Sequence, residues 1–211
     1  GGTFDPVHCG HLRAAWEAAE WLDAEVRLLP AHVPPHRPPP VASAAQRVAM
    51  LRAALAGQRR LTLDTRELQR EGPSWTVDTL HGLRDEFGPA RPLVLLLGAD
   101  AFAGLPGWNR WRELFALAHV GVLQRPGAAV VLPDELAGEI APRRVDGVAR
   151  LRAAPAGCVL TMAVTALDIS ASQVRALLAA GRSPRYLVPP ALLDDVALLA
   201  PYAPACSPTG N

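Results

Sequence analysis

Two stretches at opposite ends of the chain hold the side chains best suited to handling a phosphate. The first is Gly1-Gly2-Thr3-Phe4-Asp5-Pro6-Val7-His8-Cys9-Gly10-His11-Leu12. Its glycines let the backbone approach a ligand closely, and Pro6 keeps the residue before it out of a helix. His8 and His11 then fall at the mouth of an alanine-rich helical pattern, where unpaired amides and the helix dipole attract anions. An imidazole there donates to a phosphate oxygen, and the contact strengthens as that phosphate gains charge in a transition state. The second stretch is Asp168-Ile169-Ser170-Ala171-Ser172-Gln173-Val174-Arg175. Ser170 reads as an N-cap, with Gln173 completing a capping box. Ser172 lies in the first turn, and Arg175, three residues on, presents a forked permanent cation on the same side. Taken singly, the stretches have plainer readings: a glycine turn entering a helix, and a well-capped surface helix. Together they describe a triphosphate cradle.

The elements that must position these groups alternate along the chain. Leu12, Ala15, Trp16, Ala19 and Leu22 have helical spacing, and residues 26–31 read as a short buried strand. Residues 32–40 contain five prolines and form a stiff loop. His36 and Arg37 in it could close over phosphates, or the loop could be a solvated connector. Ser43 and Gln46 make a capping box for a helix through Leu55, and residues 61–64 form a strand. A helix opens within Pro73-Ser74-Trp75-Thr76-Val77-Asp78-Thr79-Leu80, with Ser74 or Thr76 as its cap, and stops after Phe87. Residues 93–98 are apolar without alternation, the pattern of a central strand covered on both faces. They lead into Asp100, at the strand end where such sheets bind ligands. For Asp100, a ligand contact and a helix cap stay equally open.

Trp108 and Trp111 follow a Pro-Gly turn, where an indole can stack on a flat ring or simply anchor the loop. A helix over 112–117, a strand over 119–123, a helix over 134–140 and a strand over 159–162 come next. The helix capped by Ser170 stops at Gly181, and a short helix spans 191–199. The alternation predicts one α/β domain over residues 1–199, a doubly wound parallel sheet with helices on both faces. Residues 200–211 read as a disordered tail. A glycine-rich turn of this kind follows a strand, so a first strand is expected ahead of Gly1.

Composition narrows the function. A chain of 211 residues, half of them hydrophobic, can bury a full core. A net charge of +1 is no footprint for bulk nucleic-acid binding. The basic residues are all arginine, so a P-loop, which needs its lysine, is excluded. Cys9, Cys158 and Cys206 make no disulfide framework, which fits a reducing cytoplasm. Apolar runs fall well short of the roughly 18 residues of a membrane span. Nucleic-acid and membrane partners are therefore not expected. Oligomeric state stays open.

Gly-Gly-Thr-Phe-Asp-Pro-x-His-x-Gly-His and Ile-Ser-x-Ser-x-x-Arg, in this order, resemble the paired signatures of the HxGH nucleotidyltransferase superfamily. Val33-Pro34-Pro35-His36-Arg37, residues 73–80, Leu97-Gly98-Ala99-Asp100, Leu105-Pro106-x-Trp108 and Arg125-Pro126-Gly127 fall between them in the expected order. From Gly1 to about Leu199 the chain resembles the bacterial nicotinate-nucleotide adenylyltransferases. The resemblance implies a Rossmann-like sheet and adenylyl transfer from ATP to nicotinate mononucleotide, giving deamido-NAD and pyrophosphate in NAD biosynthesis. It implies Mg²⁺ carried on ATP, with no protein metal site and no covalent intermediate. His8, His11 and Arg175 would be catalytic. Gly2, Thr3, Phe4, Ile169, Ser170 and Ser172 would join them in binding ATP, with Ile169 and Ser170 bordering adenine. Thr76, Asp100, Trp108, His36, Arg37 and Arg125 would bind the mononucleotide: Thr76 its carboxylate, Trp108 its pyridine ring and Asp100 its ribose. Arg37 stands where the family usually has lysine, Cys9 where many relatives have an aromatic, and Asn109 where some have tyrosine.

Two rivals share the signatures. A phosphopantetheine adenylyltransferase has no use for residues 74–80 or the Trp108 loop. A non-catalytic nucleotide binder has no need of intact His8, His11, Ser172 and Arg175, and would not release pyrophosphate.

Overall fold

A computed structural model describes residues 1–33, 38–124, 131–165 and 167–204. In chain order the elements are helix α1 (Cys9–Leu22), strand β1 (Val26–Leu28), α2 (Ala44–Leu55), β2 (Leu61–Leu63), α3 (Thr76–Phe87), β3 (Val94–Gly98), α4 (Ala99–Ala103), α5 (Leu114–Leu117), β4 (His119–Gln124), α6 (Asp134–Ile140), β5 (Arg144–Val145), α7 (Val148–Arg152), β6 (Val159–Ala163), α8 (Ala171–Ala179), α9 (Pro190–Asp194) and α10 (Val196–Leu199). The strands pair in parallel, β1 with β2 and the other four in the spatial order β3-β4-β6-β5. Parallel neighbours need crossovers, and the intervening helices supply them.

Helices cover both faces of the four-stranded sheet. On one face Leu97, Val120, Val122 and Val159 pack against α3, α4, α5 and α6 through Leu80, Phe102, Phe115 and Ile140. On the other, Leu160 and Met162 meet Leu22 of α1 and Leu151 of α7. A third cluster joins Leu28 and Leu61 to α2, α8, α9 and α10 through Met50, Leu51, Val174, Leu192 and Leu199. This is the doubly wound α/β arrangement expected from the alternation, with the strands in two parallel sets.

The apolar run 93–98 forms a strand as expected, and among the described residues it has a paired neighbour on one side. Only Leu97 is buried in β3, whereas β4 is buried from His119 through Val122. Val94–Leu97 line the same crevice as Val26–Leu29. The turn at Gly2 enters beside β1: its amide donates to Leu29 O at 3.0 Å and its carbonyl accepts from Ala31 N at 2.9 Å. Several expectations are corrected. The cap of α3 is Trp75, not Ser74 or Thr76, because Ser74 Oγ already accepts from His32 N at 2.8 Å. The helix over 191–199 is broken at Asp195, whose carboxylate caps Ala197 N at 3.0 Å. The reading of 200–211 as a disordered tail fails at its start. Residues 200–202 form a 3-10 turn, and Tyr202 is only 4% exposed, because its ring packs into the cluster around α2 and α9. Residues 205–211 lie outside the described residues. Among the described residues no helix is long and apolar enough to cross a membrane.

Candidate active site

α1 begins where the glycine turn ends. His8 sits at its N-cap with extended backbone, φ −140°, and His11 falls in its first turn. The two rings stack with centroids 3.6 Å apart. Gly10 makes this possible: a Cβ there would lie 3.0 Å from His8 Nδ1 and 3.2 Å from its Cε1. Phe4, in the left-handed region at φ 51°, sets its ring edge-on to His11 at 5.1 Å. A bulky residue holds such a backbone conformation only when its surroundings impose it. Here the ring is buried in the core beneath α2.

The two histidines have different electrostatics. Burial lowers the His8 pKa to about 4, so the ring is neutral at physiological pH, and its buried Nδ1 has no hydrogen-bond partner. His11 Nδ1 accepts from His8 N at 3.3 Å. An accepting Nδ1 places the proton of a neutral ring on Nε2, so His11 is a donor at its outer edge.

Across the turn, Ser170 caps α8 as expected, accepting from Gln173 N at 3.1 Å. Arg175 Nη2 donates to Ser172 Oγ at 3.2 Å, and Nη1 to the Asp5 carbonyl at 2.6 Å. The second stretch is thereby tied to the first. Gly181 ends the helix region in the left-handed conformation, φ 66°, as its place after the last turn required.

All these groups open on one crevice of about 1790 Å³. Gly2, Thr3, Phe4, His8, His11, Ile169, Ser170, Ser172 and Arg175 line it, and so do Thr76, Asp100 and Trp108. Asp100 lies exposed in the first turn of α4, whose cap is Gly98, so the cap reading of Asp100 fails. The two tryptophans divide the roles left open for them. Trp108 is half-buried on the crevice, while Trp111 is 6% exposed and packs on Phe115 in the core. His36, Arg37 and Arg125 lie outside the described residues. Among the described residues, no cluster of three or more His, Cys, Asp or Glu side chains could hold a metal.

Sequence reasoning passed over the residues that brace this arrangement. Asp5, 5% exposed, accepts from Val41 N at 2.8 Å, Ala42 N at 3.0 Å and Tyr202 Oη at 2.7 Å. Arg47, 1% exposed, donates to the Thr3 carbonyl at 2.8 Å. Glu17 of α1 accepts from Thr165 N at 2.6 Å. The one signal among them was a charged residue at an apolar place in a helical pattern, at Arg47.

Residues 1–177 match the family described as cytidylyltransferase-like. The chain is 54% identical over 200 residues to a protein of Dechloromonas aromatica (strain RCB) named "Probable nicotinate-nucleotide adenylyltransferase", covering 93% of this chain and 92% of that one. A protein of Halorhodospira halophila with the same name is 53% identical, with 93% and 90% covered. The fold matches the Plasmodium falciparum nicotinic acid mononucleotide adenylyltransferase complexed with NaAD, with a TM-score of 0.67 and 14% identity over 95% of this chain and 93% of that one. The chain belongs to the cytidylyltransferase-like family and, within it, to the nicotinate-nucleotide adenylyltransferases.

Proposed function

We propose that the crevice transfers the adenylyl group of ATP to nicotinate mononucleotide, and that its two walls divide the substrates. A phosphate oxygen of the mononucleotide attacks the α-phosphorus of ATP. The new P–O bond forms as the bond to the β-phosphate oxygen breaks, leaving deamido-NAD and pyrophosphate. The observation that carries this reading is the meeting of His8, His11, Ser172 and Arg175 with Thr76, Asp100 and Trp108 on one crevice.

His11 donates from Nε2 to the α-phosphate as charge builds there, and neutral His8 supports the same phosphate without repelling a second cation. Arg175 and Ser172, at the start of α8, hold the β- and γ-phosphates of the leaving group. Ile169 and Ser170 border adenine, while the backbone of Gly2, Thr3 and Phe4 lines the junction of the substrates. On the other wall, the hydroxyl and amide of Thr76 at the start of α3 receive the nicotinate carboxylate. Trp108 stacks on the pyridine ring, and Asp100 accepts from a ribose hydroxyl. Mg²⁺ would arrive with the triphosphate and would supply charge neutralisation there, while the imidazoles of His8 and His11 and the guanidinium of Arg175 would contact the anion. Catalysis is then positioning and charge stabilisation, with no protein nucleophile.

The test is pyrophosphate release from ATP and Mg²⁺ with nicotinate mononucleotide and nicotinamide mononucleotide in parallel. Strong preference for the acid supports the Thr76 assignment. Equal use of both substrates would remove Thr76 from carboxylate recognition, and release with neither would reject the reading of the crevice.

A further inference from the structure

Asp5 presents an imbalance. It is a buried carboxylate beside the guanidinium of Arg175, yet Arg175 does not close on it: the nearest approach, Nη1 to Oδ2, is 3.8 Å. Arg175 bonds instead to the backbone carbonyl of the same residue and to Ser172 Oγ. The carboxylate oxygens are engaged elsewhere. Oδ2 accepts from Val41 N, and Oδ1 from Ala42 N and from the Tyr202 hydroxyl at 2.7 Å. Arg47, fully buried next to Thr3, supplies a second positive charge to this carboxylate. Burial and the Asp5 hydrogen bond both keep the proton on Tyr202, so its hydroxyl is a permanent donor.

We propose that Tyr202 is a positioning residue for adenylyl transfer: its hydroxyl occupies Asp5 so that the carboxylate cannot capture Arg175, and the guanidinium stays available to the triphosphate. The chain turn at 200–202, far in sequence from both phosphate-binding stretches, thereby sets the strength of the clamp. Without the hydroxyl, Oδ1 loses its shortest bond and the carboxylate gains freedom to turn toward Arg175. A direct carboxylate–guanidinium pair would be bidentate and charge-assisted, and it would compete with ATP for the same donors. This inference rests on the assignment of Arg175 to the ATP phosphates.

The experiment compares the wild-type chain with Tyr202→Phe, Arg175→Gln and the double variant. Thermal unfolding and steady-state pyrophosphate release are measured on each, the kinetics well below each midpoint. Phenylalanine keeps the packing in the cluster around α2 and α9 and removes only the hydroxyl. Expected for Tyr202→Phe is a KM for ATP raised about fivefold, the scale of one hydrogen bond, with the KM for the mononucleotide within about twofold of wild type. Because the effect passes through Arg175, it should vanish in the Arg175→Gln background. Wild-type ATP kinetics in Tyr202→Phe, beside an impaired Arg175→Gln, would overturn the proposal. So would equal losses in both backgrounds, or equal increases in the two KM values, which mark a general structural role. Wild-type ATP kinetics in Arg175→Gln would instead remove the assignment of Arg175 to the phosphates, and the role of Tyr202 with it.

Discussion

Gly10→Ala separates catalysis from folding at this site, because the two should move in opposite directions. Gly10 is the second residue of α1, where alanine is favoured over glycine by up to about 1 kcal/mol. Against this stands the contact with His8: an added Cβ would lie 3.0 Å from Nδ1, 3.2 Å from Cε1 and 3.5 Å from the Ile169 carbonyl. The first two are a few tenths of an ångström inside ordinary contact. The His8 ring cannot simply back away, because His11 stacks on it at 3.6 Å. Both imidazoles must shift together, and with them the donor at His11 Nε2. A misplacement of about 1 Å costs roughly a hundredfold in rate, so a few tenths should cost about tenfold, or about 1.4 kcal/mol of barrier. The assay is pyrophosphate release under saturating substrates beside a thermal melt without nucleotide. The expected outcome is a kcat about tenfold lower with a melting temperature unchanged or raised. A kcat within twofold of wild type would refute the claim that Gly10 is small because the imidazole pair needs its space. A large fall in melting temperature would show that the steric contact strains the fold rather than the chemistry.

His11→Ala removes the donor assigned to the α-phosphate and should lower kcat by about a hundredfold or more; a near-normal rate in a folded variant would remove that assignment. Trp108→Ala should raise the KM for nicotinate mononucleotide more than that for ATP, and the opposite pattern would place the ring pocket elsewhere. His8 carries a pH signature: its pKa stands at about 4 against an ordinary 6.5, so the unfolded chain binds this proton first as pH falls. The resulting cost is absent above pH 6.5 and grows toward pH 4, reaching about 3 kcal/mol. The melting temperature of His8→Asn, without nucleotide, should therefore fall less than that of wild type across this window. Parallel falls would show that His8 is not held neutral by its burial.

The residues assigned to chemistry were legible because each carries its context with it. A helix start supplies its own unpaired amides, so a histidine, serine or arginine within a turn of one is a candidate phosphate contact. That logic needs no knowledge of what lies across the fold, and it placed His8, His11, Ser170, Ser172 and Arg175 on one crevice. Elements with long-range partners were less legible. Trp108 and Trp111 are the same residue type three apart, and only the direction of the chain at Arg110, left-handed at φ 49°, sends one outward and the other into the core. The brace between Asp5 and Tyr202 was not legible at all. A tyrosine beyond the last predicted helix has no local pattern that ties it to an aspartate in the first turn, 197 positions away. On the proposed reading of Arg175, the charges near it call for such a tie. A guanidinium meant for a phosphate must lie close to the loop that carries the histidines, and that loop holds a buried carboxylate. The hydroxyl of Tyr202, the amides of Val41 and Ala42 and the charge of Arg47 all act on that carboxylate rather than on the substrate. On that reading they let one short segment hold an anion of its own and still receive another.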